Sequence, residues 1–478
     1  MASTIPENQA RFTLAEVVAA TGGELMGPVD AVVDGVVSDT RGRLDGKLFV
    51  ALPGERFDGH TFVSAALRGG ARALLVERDV GDVKAPVIRV ASTYRALGQL
   101  AQAHRRRWQG QLVAVAGSAG KTTTRACIGA LLEAILPGGV HQVAGNLNNR
   151  VGVPFVLLGL SERHRLAVIE IGTNAPGEVA ELTALANPDV GVLTLIGLEH
   201  TEGLGGIDAI ELEESQIFRG LASTATAIGN HDDERVRRNL EQAPCARRIG
   251  FGFEEGATYR VVERSVSGLG AARLRVRRPR AAELEVDVSL LGRAGAYALA
   301  AALAVAETCT GRSLEASEVT RASASLGAGE PGRLTPISLP NGTIVLDDTY
   351  NANPASLSSS VATAAELARA TGRRLVLVLG EMRELGEDSP RLHREAGEQL
   401  RDALGAGFVV GVAGDARWLI EPLLSRGVPG EFVEDVAGAE RVLSARVEAA
   451  DVVLVKASRG IRAERIVESL TLAAGRST

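Results

Sequence analysis

The chain is poor in lysine and in aromatic residues. Lysine occurs only at positions 47, 84, 121 and 456 of the 478 residues, so arginine supplies nearly all of the positive charge. A lysine that remains under such a bias indicates a place where a compact ammonium is needed and a planar guanidinium would not fit. Aromatic residues make up 3% of the chain, so its cores must be built from Val, Leu, Ala and Ile.

Other absences exclude several classes of protein. The three cysteines, Cys127, Cys245 and Cys309, are odd in number and far apart, which argues against a disulfide framework and shows no metal-binding spacing. No basic segment followed by an apolar stretch opens the sequence, and no apolar run reaches the length of a membrane span. These features predict a cytoplasmic protein.

The charge balance gives no indication of a nucleic-acid or anionic-membrane partner. The formal net charge is −6, and acidic and basic residues are mixed along the chain. Two short arginine-rich segments, at residues 104–109 and 273–280, are interpreted as solvent-exposed surfaces rather than polyanion sites.

The segment "VAVAGSAGKTTTRACIGALL", residues 113–132, predicts a phosphate-binding loop between a strand and a helix. The eight-residue phosphate-loop pattern expects its first glycine at Val115, whereas this chain has a shorter G-x-x-G-K-T form that begins at Gly117. Backbone N–H groups at the helix start would face the phosphates, Lys121 would meet the β- and γ-phosphates, and the Thr122 hydroxyl would bind Mg²⁺. A glycine-rich turn without a ligand is the alternative, but the flanking strand and helix favour a nucleotide. The predicted ATP-binding residues of the loop are Gly117, Ser118, Ala119, Gly120, Lys121, Thr122 and Thr123.

Apolar segments divide the chain into three α/β units. Short β-branched runs alternate with helical segments in residues 1–107, whereas continuous apolar strands, typical of parallel sheets buried on both faces, occur in residues 108–328 and 329–478. Glycine and proline in "GAGEPGR", residues 327–333, predict a hinge between the second and third units. We therefore predict a small α/β N-terminal domain, a central P-loop-type parallel-sheet ATPase domain and a C-terminal Rossmann-like, doubly wound domain.

Six segments, in this order along almost the whole chain, resemble motifs of the Mur ligases. They are "AVAGSAGKTTT", "AGNLNNRVGVPFVLLGL", "VIEIGTNAPGEVAELTALANPDVGVLT", "DDTYNANPASL", "LGEMRELGEDSPRLHREAG" and "VLVKASRGIRAERIV". Within that family, "GNLNN" and "DDTYNANP" are similar to the member that adds D-Ala-D-Ala to UDP-N-acetylmuramoyl-tripeptide. The N-terminal segment "GVVSDTRGRLDGKLFVALPGERFDGHTFV" is similar to the first domain of that member.

The resemblance implies ATP-dependent amide synthesis in the production of peptidoglycan precursors. ATP would phosphorylate the carboxylate that ends UDP-N-acetylmuramoyl-tripeptide, and the amine of D-Ala-D-Ala would attack the acyl phosphate. It also implies that residues 1–107 bind the UDP-sugar, residues 108–328 bind ATP, and residues 329–478 bind nucleotide and the amine acceptor. We expect Mg²⁺ as cofactor and a monomeric protein.

Two residues that follow apolar strands are candidate metal ligands. Glu170 ends "RLAVIE", and a carboxylate at the C-terminal edge of a parallel strand near a phosphate loop can bind Mg²⁺ or can simply be a surface acid. His200, in "LIGLEHTEG", could equally be structural. The resemblance implies that Glu170 is a Mg²⁺ ligand and that His200 binds a second Mg²⁺.

The resemblance also implies substrate and nucleotide contacts. Arg333 and Asp348 match family residues that contact the nucleotide. Instead of binding substrate, Ser38–Arg41 and the asparagines of "GNLNN" could simply stabilise backbone turns. The "KASRG" residues could likewise form a solvated loop without a ligand. The implied substrate-binding residues are Ser38, Asp39, Thr40, Arg41, Asn146, Asn148, Asn149, Tyr350, Asn351, Asn353, Lys456 and Arg459.

The sequence departs from the family in two places. Glu214 stands where the family has a lysine that is carbamoylated to bind the second Mg²⁺, so Glu214 joins Lys121 and His200 as a predicted catalytic residue and is a predicted metal ligand. Its side chain reaches roughly 3–4 Å less far than the carbamate. In "GRAGAYALA", Ala294, Gly295 and Ala298 replace the His and Asn residues that contact adenine in the family.

Both departures leave alternatives open. The chain could be a catalytically weakened relative that acts as a binding protein, because the adenine contacts and the carbamoylated lysine are missing. It could also be a ligase of the same superfamily with another acceptor, although "DDTYNANP" argues against this. The phosphate-binding residues are intact, so nucleotide binding is expected in either case.

Overall fold

The computed structural model describes residues 5–54, 57–268, 270–279, 281–326 and 330–476. Strands and helices alternate through three units, as the sequence predicts. Arg280 and residues 327–329, which include the predicted boundary between the second and third domains and the first three residues of the predicted hinge, lie outside the described residues. In the described ranges, no helix is both long and apolar enough to cross a membrane.

The first unit is a small α/β unit whose local signals agree with the sequence. Thr13 caps the first helix in a capping box with Glu16, and Gly22 closes it at φ 68°. The main sheet has the order β2-β7-β6-β5-β4, and β1 pairs with β3. Its elements are β1 (Arg11–Thr13), α1 (Leu14–Thr21), β2 (Glu24–Met26), β3 (Val32–Asp34), β4 (Val36–Val37), β5 (Leu48–Val50), a 3-10 helix (Gly59–Phe62), α2 (Val63–Arg68), β6 (Ala73–Val76), β7 (Val87–Arg89) and α3 (Thr93–Arg107).

The central unit contains a mixed sheet of nine strands within the described ranges. Its order is β16-β15-β14-β13-β12-β11-β8-β10-β9. Seven neighbouring strands, from β9 at one edge of the sheet to β14, pair in parallel, as predicted. Strands β15 and β16 continue the sheet beyond β14 in antiparallel fashion, an extension that the sequence analysis did not predict. Its elements are β8 (Gln111–Ala116), α4 (Lys121–Ile135), β9 (Val140–His141), α5 (Gly152–Leu158), β10 (Leu166–Glu170), α6 (Glu178–Ala186), β11 (Val190–Leu193), α7 (Thr201–Leu204), α8 (Ile207–Glu214), α9 (Gln216–Arg219), β12 (Thr226–Asn230), α10 (Glu234–Glu241), β13 (Arg247–Gly252), β14 (Tyr259–Gly268), β15 (Ala271–Arg277), β16 (Leu284–Val288), α11 (Gly292–Thr310) and α12 (Ala316–Ala324).

The third unit is a doubly wound sheet of the order β17-β18-β22-β19-β20-β21. All pairings are parallel except that of β17 with β18. Its elements are β17 (Thr335–Ser338), β18 (Ile344–Asp348), α13 (Pro354–Thr371), β19 (Leu375–Gly380), a 3-10 helix (Gly386–Asp388), α14 (Ser389–Gln399), a 3-10 helix (Arg401–Gly405), β20 (Phe408–Val412), α15 (Ala416–Ser425), β21 (Gly430–Val433), α16 (Val436–Arg446), β22 (Val452–Lys456), a 3-10 helix (Arg459–Ile461) and α17 (Glu464–Arg476).

The interpretation of the first arginine-rich segment as a solvated surface holds for Arg106, Arg107 and Gln109 but is wrong for Arg105 and Trp108, which are buried. Helix α3 packs against α5 and α6 of the central unit, which buries Arg105. The guanidinium donates to the carbonyl oxygens of Ala186 and Asn187 and to the Asp189 carboxylate, so it joins the two units. The second segment lies on β15, where the exposed Arg273, for example, pairs with an acid on the neighbouring strand.

The topology brings the phosphate loop to the middle of the central sheet. Strand β8 lies between β10 and β11, and all three are parallel. The loops that follow these strands therefore meet at one edge, which is where ligands bind in open α/β sheets. The third unit faces the same edge.

Candidate active site

The phosphate loop is a tight turn that depends on two glycines and is held by its neighbours. Gly117 has φ 126° and Gly120 has φ 82°, and residues other than glycine rarely adopt such positive φ angles. A Cβ atom on Gly117 would lie 2.2 Å from the hydroxyl oxygen of Thr194, so that position also lacks space. Thr194 itself donates its hydroxyl to the Ala119 carbonyl at 2.6 Å. These contacts hold the loop in place at the start of α4.

Lys121 lies among three carboxylates at the first turn of α4. Its Nζ donates to the Gly117 carbonyl at 2.5 Å and lies 3.4 Å from Oε1 of Glu199. Burial lowers the pKa of Lys121, but the carboxylates of Glu199, Glu214 and Glu170 outweigh that effect and raise the pKa overall. The side chain is therefore a charged ammonium at the position predicted to meet phosphates.

Glu170 meets the phosphate loop, as expected for an acid at the end of a central strand. Its Oε2 accepts a hydrogen bond from the Thr122 hydroxyl at 2.8 Å, and its Oε1 accepts one from Nδ2 of Asn148 at the same distance. Nε of Arg125 lies 3.8 Å from the same carboxylate. Thr122, Asn148 and Glu170, which the sequence analysis assigned to metal or substrate binding, thus lie together.

Glu214 is fully buried below the phosphate loop. It ends α8, and its Oε2 accepts a hydrogen bond from the Gly117 N–H at 2.8 Å. Its Oε1 is buried and receives no N–H donor within the described part of the chain, while the Glu199 carboxyl lies close enough to Glu214 to share a hydrogen bond with it. Burial raises the pKa of Glu214 to about 8, so the carboxyl is largely protonated at neutral pH unless a bound cation stabilises its charged form. A buried acceptor without a partner is costly unless a donor or cation satisfies it.

Glu199 is a central residue of the site that sequence reasoning missed. Its carboxylate is buried, which raises its pKa, and contacts both Lys121 and Nδ2 of Asn353, the latter at 3.5 Å. Its neighbour His200 has φ 49° and directs Nδ1 to Oε2 of Glu384 at 2.5 Å, while Nε2 lies 3.9 Å from Oε2 of Glu199. The sequence did contain one indication of this role, because Glu199 directly precedes His200 in the loop after a central strand.

The donor set fits Mg²⁺ shared with a nucleotide better than a metal held by protein alone. In the described residues, no three His, Cys, Asp or Glu side chains converge closely enough to hold an ion by themselves. Mg²⁺ in nucleotide sites commonly takes one or two carboxylates, with phosphate oxygens and waters as the remaining ligands. The unpartnered oxygen of Glu214 and the paired Thr122 and Glu170 match that requirement.

In the third unit, Asp348 and Lys456 form a buried ion pair. Nζ of Lys456 donates to Oδ2 of Asp348 at 2.6 Å and to the Asn351 carbonyl at 3.0 Å. Ser360 donates to the same Oδ2, and the Leu334 N–H donates to Oδ1. Both oxygens of Asp348 are thus engaged, and the pair orders the loop that follows β18.

That loop carries Tyr350 and Asn353 toward the central unit. Two guanidinium groups contact the Tyr350 ring, with Cζ of Arg333 at 3.9 Å and Cζ of Arg459 at 5.3 Å from the ring centroid. Asn353 caps α13 through its side-chain oxygen and donates Nδ2 to the Ser118 carbonyl of the phosphate loop at 3.3 Å. The two units therefore meet at the phosphate loop.

A cavity of about 970 Å³ lies between the central and third units. Most of the predicted site residues line it, and so do Ala294 and Gly295 of the segment that departs from the family. Gly117, Glu214 and Ala298 do not line it. The predicted residues that line it are Ser118, Ala119, Gly120, Lys121, Thr122, Thr123, Asn146, Asn148, Asn149, Glu170, His200, Arg333, Asp348, Tyr350, Asn351, Asn353, Lys456 and Arg459.

The predicted UDP-binding residues lie elsewhere, in the first unit. Ser38, Asp39, Thr40 and Arg41 follow β4 and do not line the cavity. The Arg41 side chain is 88% exposed and pairs with Asp39 at 2.6 Å, so its guanidinium is accessible to an anion. Their contact with UDP stays a prediction.

The segment expected near adenine contains an aromatic and charged cluster in place of the family's His and Asn. Cζ of Arg293 lies 3.9 Å from the Phe253 ring centroid and 5.7 Å from that of Tyr297. The Tyr297 hydroxyl donates to Asp232 at 2.7 Å. Arg293 and Tyr297 line the cavity, whereas Ala298 is buried within α11. No local signal in the sequence indicated Asp232 and Phe253, which lie on other loops.

Comparison with known proteins identifies the family. Three family models match along the chain: the Mur ligase family catalytic domain at residues 32–105, the Mur ligase middle domain at 115–306 and the Mur ligase glutamate ligase domain at 332–459. The chain is 34% identical over 462 residues to the UDP-N-acetylmuramoyl-tripeptide--D-alanyl-D-alanine ligase of Escherichia coli, which covers 96% of this chain and 98% of the relative. It belongs to the Mur ligase family.

Solved structures and a second relative agree with this membership. The ligase of the same name from Bacillus subtilis is 31% identical and covers 92% of this chain and 93% of the relative. MurF from Acinetobacter baumannii superposes with a TM-score of 0.86 at 28% identity, covering 97% of this chain and 99% of that chain. MurF from Thermotoga maritima, solved in complex with ADP, gives a TM-score of 0.80 at 28% identity and covers 93% and 98%. The predicted three-domain α/β architecture and the Mur ligase resemblance are confirmed.

Proposed function

We propose that this Mur ligase joins D-Ala-D-Ala to UDP-N-acetylmuramoyl-tripeptide at the expense of ATP, in the synthesis of peptidoglycan precursors. The observation that carries the proposal is the cavity in which the phosphate loop faces the Tyr350–Asn353 loop across two units. The full-length relatives from E. coli and B. subtilis are named for this reaction.

The reaction proceeds in two displacements. A carboxylate oxygen of the tripeptide attacks the γ-phosphorus of ATP, the bond to the β-phosphate oxygen breaks, and ADP leaves. The amine of D-Ala-D-Ala then attacks the carbonyl carbon, a proton leaves the nitrogen, and inorganic phosphate departs. Lys121 and the N–H groups at the start of α4 bind the phosphates and stabilise the charge that develops on them.

Four residues would hold Mg²⁺ beside the phosphates: Thr122, Glu170, His200 and Glu214. When bound, Mg²⁺ neutralises phosphate charge and so allows the anionic substrate acid to approach. Glu214 provides its carboxylate without carbamoylation, and its reach is limited because one oxygen already accepts from the Gly117 N–H.

The remaining roles follow the domain plan. Residues 1–107, with Ser38–Arg41, bind the UDP part of the substrate; residues 108–328 bind ATP; and residues 329–478 bind nucleotide and the dipeptide. Arg459 and Tyr350 lie where the acceptor would approach, since both line the cavity beside the Asn353 contact. The protein acts as a monomer.

The test is phosphate release by the purified protein. We expect release that requires ATP, Mg²⁺, UDP-N-acetylmuramoyl-tripeptide and D-Ala-D-Ala together. Oxygen-18 in the tripeptide carboxylate should appear in the released phosphate, because the acyl phosphate transfers that oxygen.

The outcomes separate the rival functions. Release with another amine acceptor, but not with D-Ala-D-Ala, would assign a different ligase of the superfamily. Tight binding of the UDP substrate without any turnover would assign a binding protein. Label that stays in the peptide would exclude an acyl-phosphate route.

A further inference from the structure

A segment of the third unit docks onto the candidate metal ligand His200. Glu384 places its carboxylate 2.5 Å from Nδ1 of His200. Next to this contact, the Glu202 N–H donates to the Glu384 carbonyl at 3.2 Å, and the Thr201 hydroxyl donates to the Leu385 carbonyl at 3.1 Å. Three polar contacts between units thus converge on the start of α7, at the edge of the active-site cavity.

The backbone on both sides of this contact is in an uncommon conformation. His200 has φ 49° and Glu384 has φ 65°, although neither is glycine. Such conformations cost free energy and persist where the surrounding structure holds them, often at functional sites. Here the two residues face each other across the boundary between the units, and the contact between Nδ1 of His200 and the Glu384 carboxylate joins them.

We propose that Glu384 is a positioning residue for His200, so that the second metal site is complete only when the third unit is docked. A carboxylate at Nδ1 keeps the proton on that nitrogen and leaves Nε2 with its lone pair. Nε2 lies on the side of Glu199, 3.9 Å from its Oε2, and His200 and Glu199 both line the cavity. The imidazole is thereby oriented as a ligand by a residue that belongs to the other unit.

The arrangement couples metal binding to the docking of the units. If docking raises the affinity of the second metal ion, then binding of that ion must favour docking by the same factor. The inference rests on the proposed role of His200 as a metal ligand, and it assigns to Glu384 no contact with substrate, nucleotide or metal. A carboxylate that orients a metal-ligating histidine typically contributes about 10- to 100-fold in metal affinity.

The experiment counts bound Mn²⁺ by electron paramagnetic resonance, with the full chain and a non-hydrolysable ATP analogue. We expect two ions in the wild type and a weaker ion whose Kd rises about 10- to 100-fold in Glu384→Ala. Glu384→Gln should give a smaller rise, because its amide oxygen can still accept from Nδ1–H. The control is Glu387→Ala, which removes the same charge from the same exposed segment without touching His200.

Each result decides something different. Two ions with wild-type affinities in Glu384→Ala would overturn the inference while leaving the proposed metal site intact. A single ion in the wild type would overturn the assignment of His200 as a ligand, and the inference with it. Equal weakening by Glu387→Ala would show that only the charge of the segment matters, which also refutes a positioning role. A steady-state check should show a higher KM for Mg²⁺ in Glu384→Ala, with unchanged thermal unfolding.

Discussion

Replacing Glu214 by glutamine should separate the charge of this residue from its structural role. Glutamine has nearly the same shape, and its Oε1 can still accept the Gly117 N–H that Glu214 now binds at 2.8 Å. It cannot provide an anion for a metal. Alanine, in contrast, leaves the Gly117 N–H buried and unpaired and opens a void next to the phosphate loop.

The expected magnitudes follow from these contacts. An unpaired buried N–H costs about 1–3 kcal/mol. For a unit of this size that lowers the unfolding midpoint of Glu214→Ala by ~2–12 °C, and the void adds to the loss. Glu214→Gln should keep its midpoint within about 2 °C of the wild type. Both variants should lose turnover, by roughly 10- to 1000-fold, because the anion that supports charge neutralisation is gone.

The assay is phosphate release at saturating substrates, paired with thermal unfolding and repeated with and without added bicarbonate. Because Glu214 carries its own carboxylate, wild-type activity should not need bicarbonate, and chloride alone should not restore Glu214→Ala. Wild-type turnover in Glu214→Gln would refute a role for the charge. Activity that rises steeply with bicarbonate would mean that a carbamate forms elsewhere in the site.

Three further predictions address other parts of the molecule. Lys121→Ala should abolish turnover and leave binding of the UDP substrate, measured by calorimetry, largely intact; near wild-type turnover would mean that the phosphate site is wrongly assigned. Asn353→Asp keeps the cap of α13 but loses the donor to the Ser118 carbonyl and places a negative charge beside Glu199. Turnover should therefore fall about 5- to 150-fold with little change in thermal stability. A parallel loss of stability would indicate that the cap has failed. Burial lowers the pKa of His141 from 6.5 to about 4, so the unfolded chain takes up a proton that the folded one does not, and stability should fall by up to about 3 kcal/mol as the pH drops from 6.5 to 4. Unfolding midpoints of His141→Gln should fall less over that range, and parallel curves would contradict the assignment.

The local features of the site could be predicted from neighbouring residues. The glycines and Lys121 follow a buried strand and begin a helix, and Glu170 ends the next strand of the parallel core, so hydrophobic pattern and spacing were sufficient to place them. The antiparallel extension β14–β16 was missed because only continuous apolar runs were interpreted as strands of this unit, although its strands alternate buried and exposed residues as half-buried antiparallel strands do. Arg105 was misread for a different reason: its polar neighbours suggest exposure, but the packing of α3 between two units buries it.

The sequence by itself determined the three α/β units, the phosphate loop and the Mur ligase motifs, because strand, turn and helix signals depend on residues a few positions apart. Only the tertiary structure decided which distant groups meet. Glu214 reaches the Gly117 N–H across 97 positions, and Glu384 reaches His200 from another unit. Such contacts depend on how sheets and units pack against one another, and the spacing of residues along the chain does not encode that packing locally.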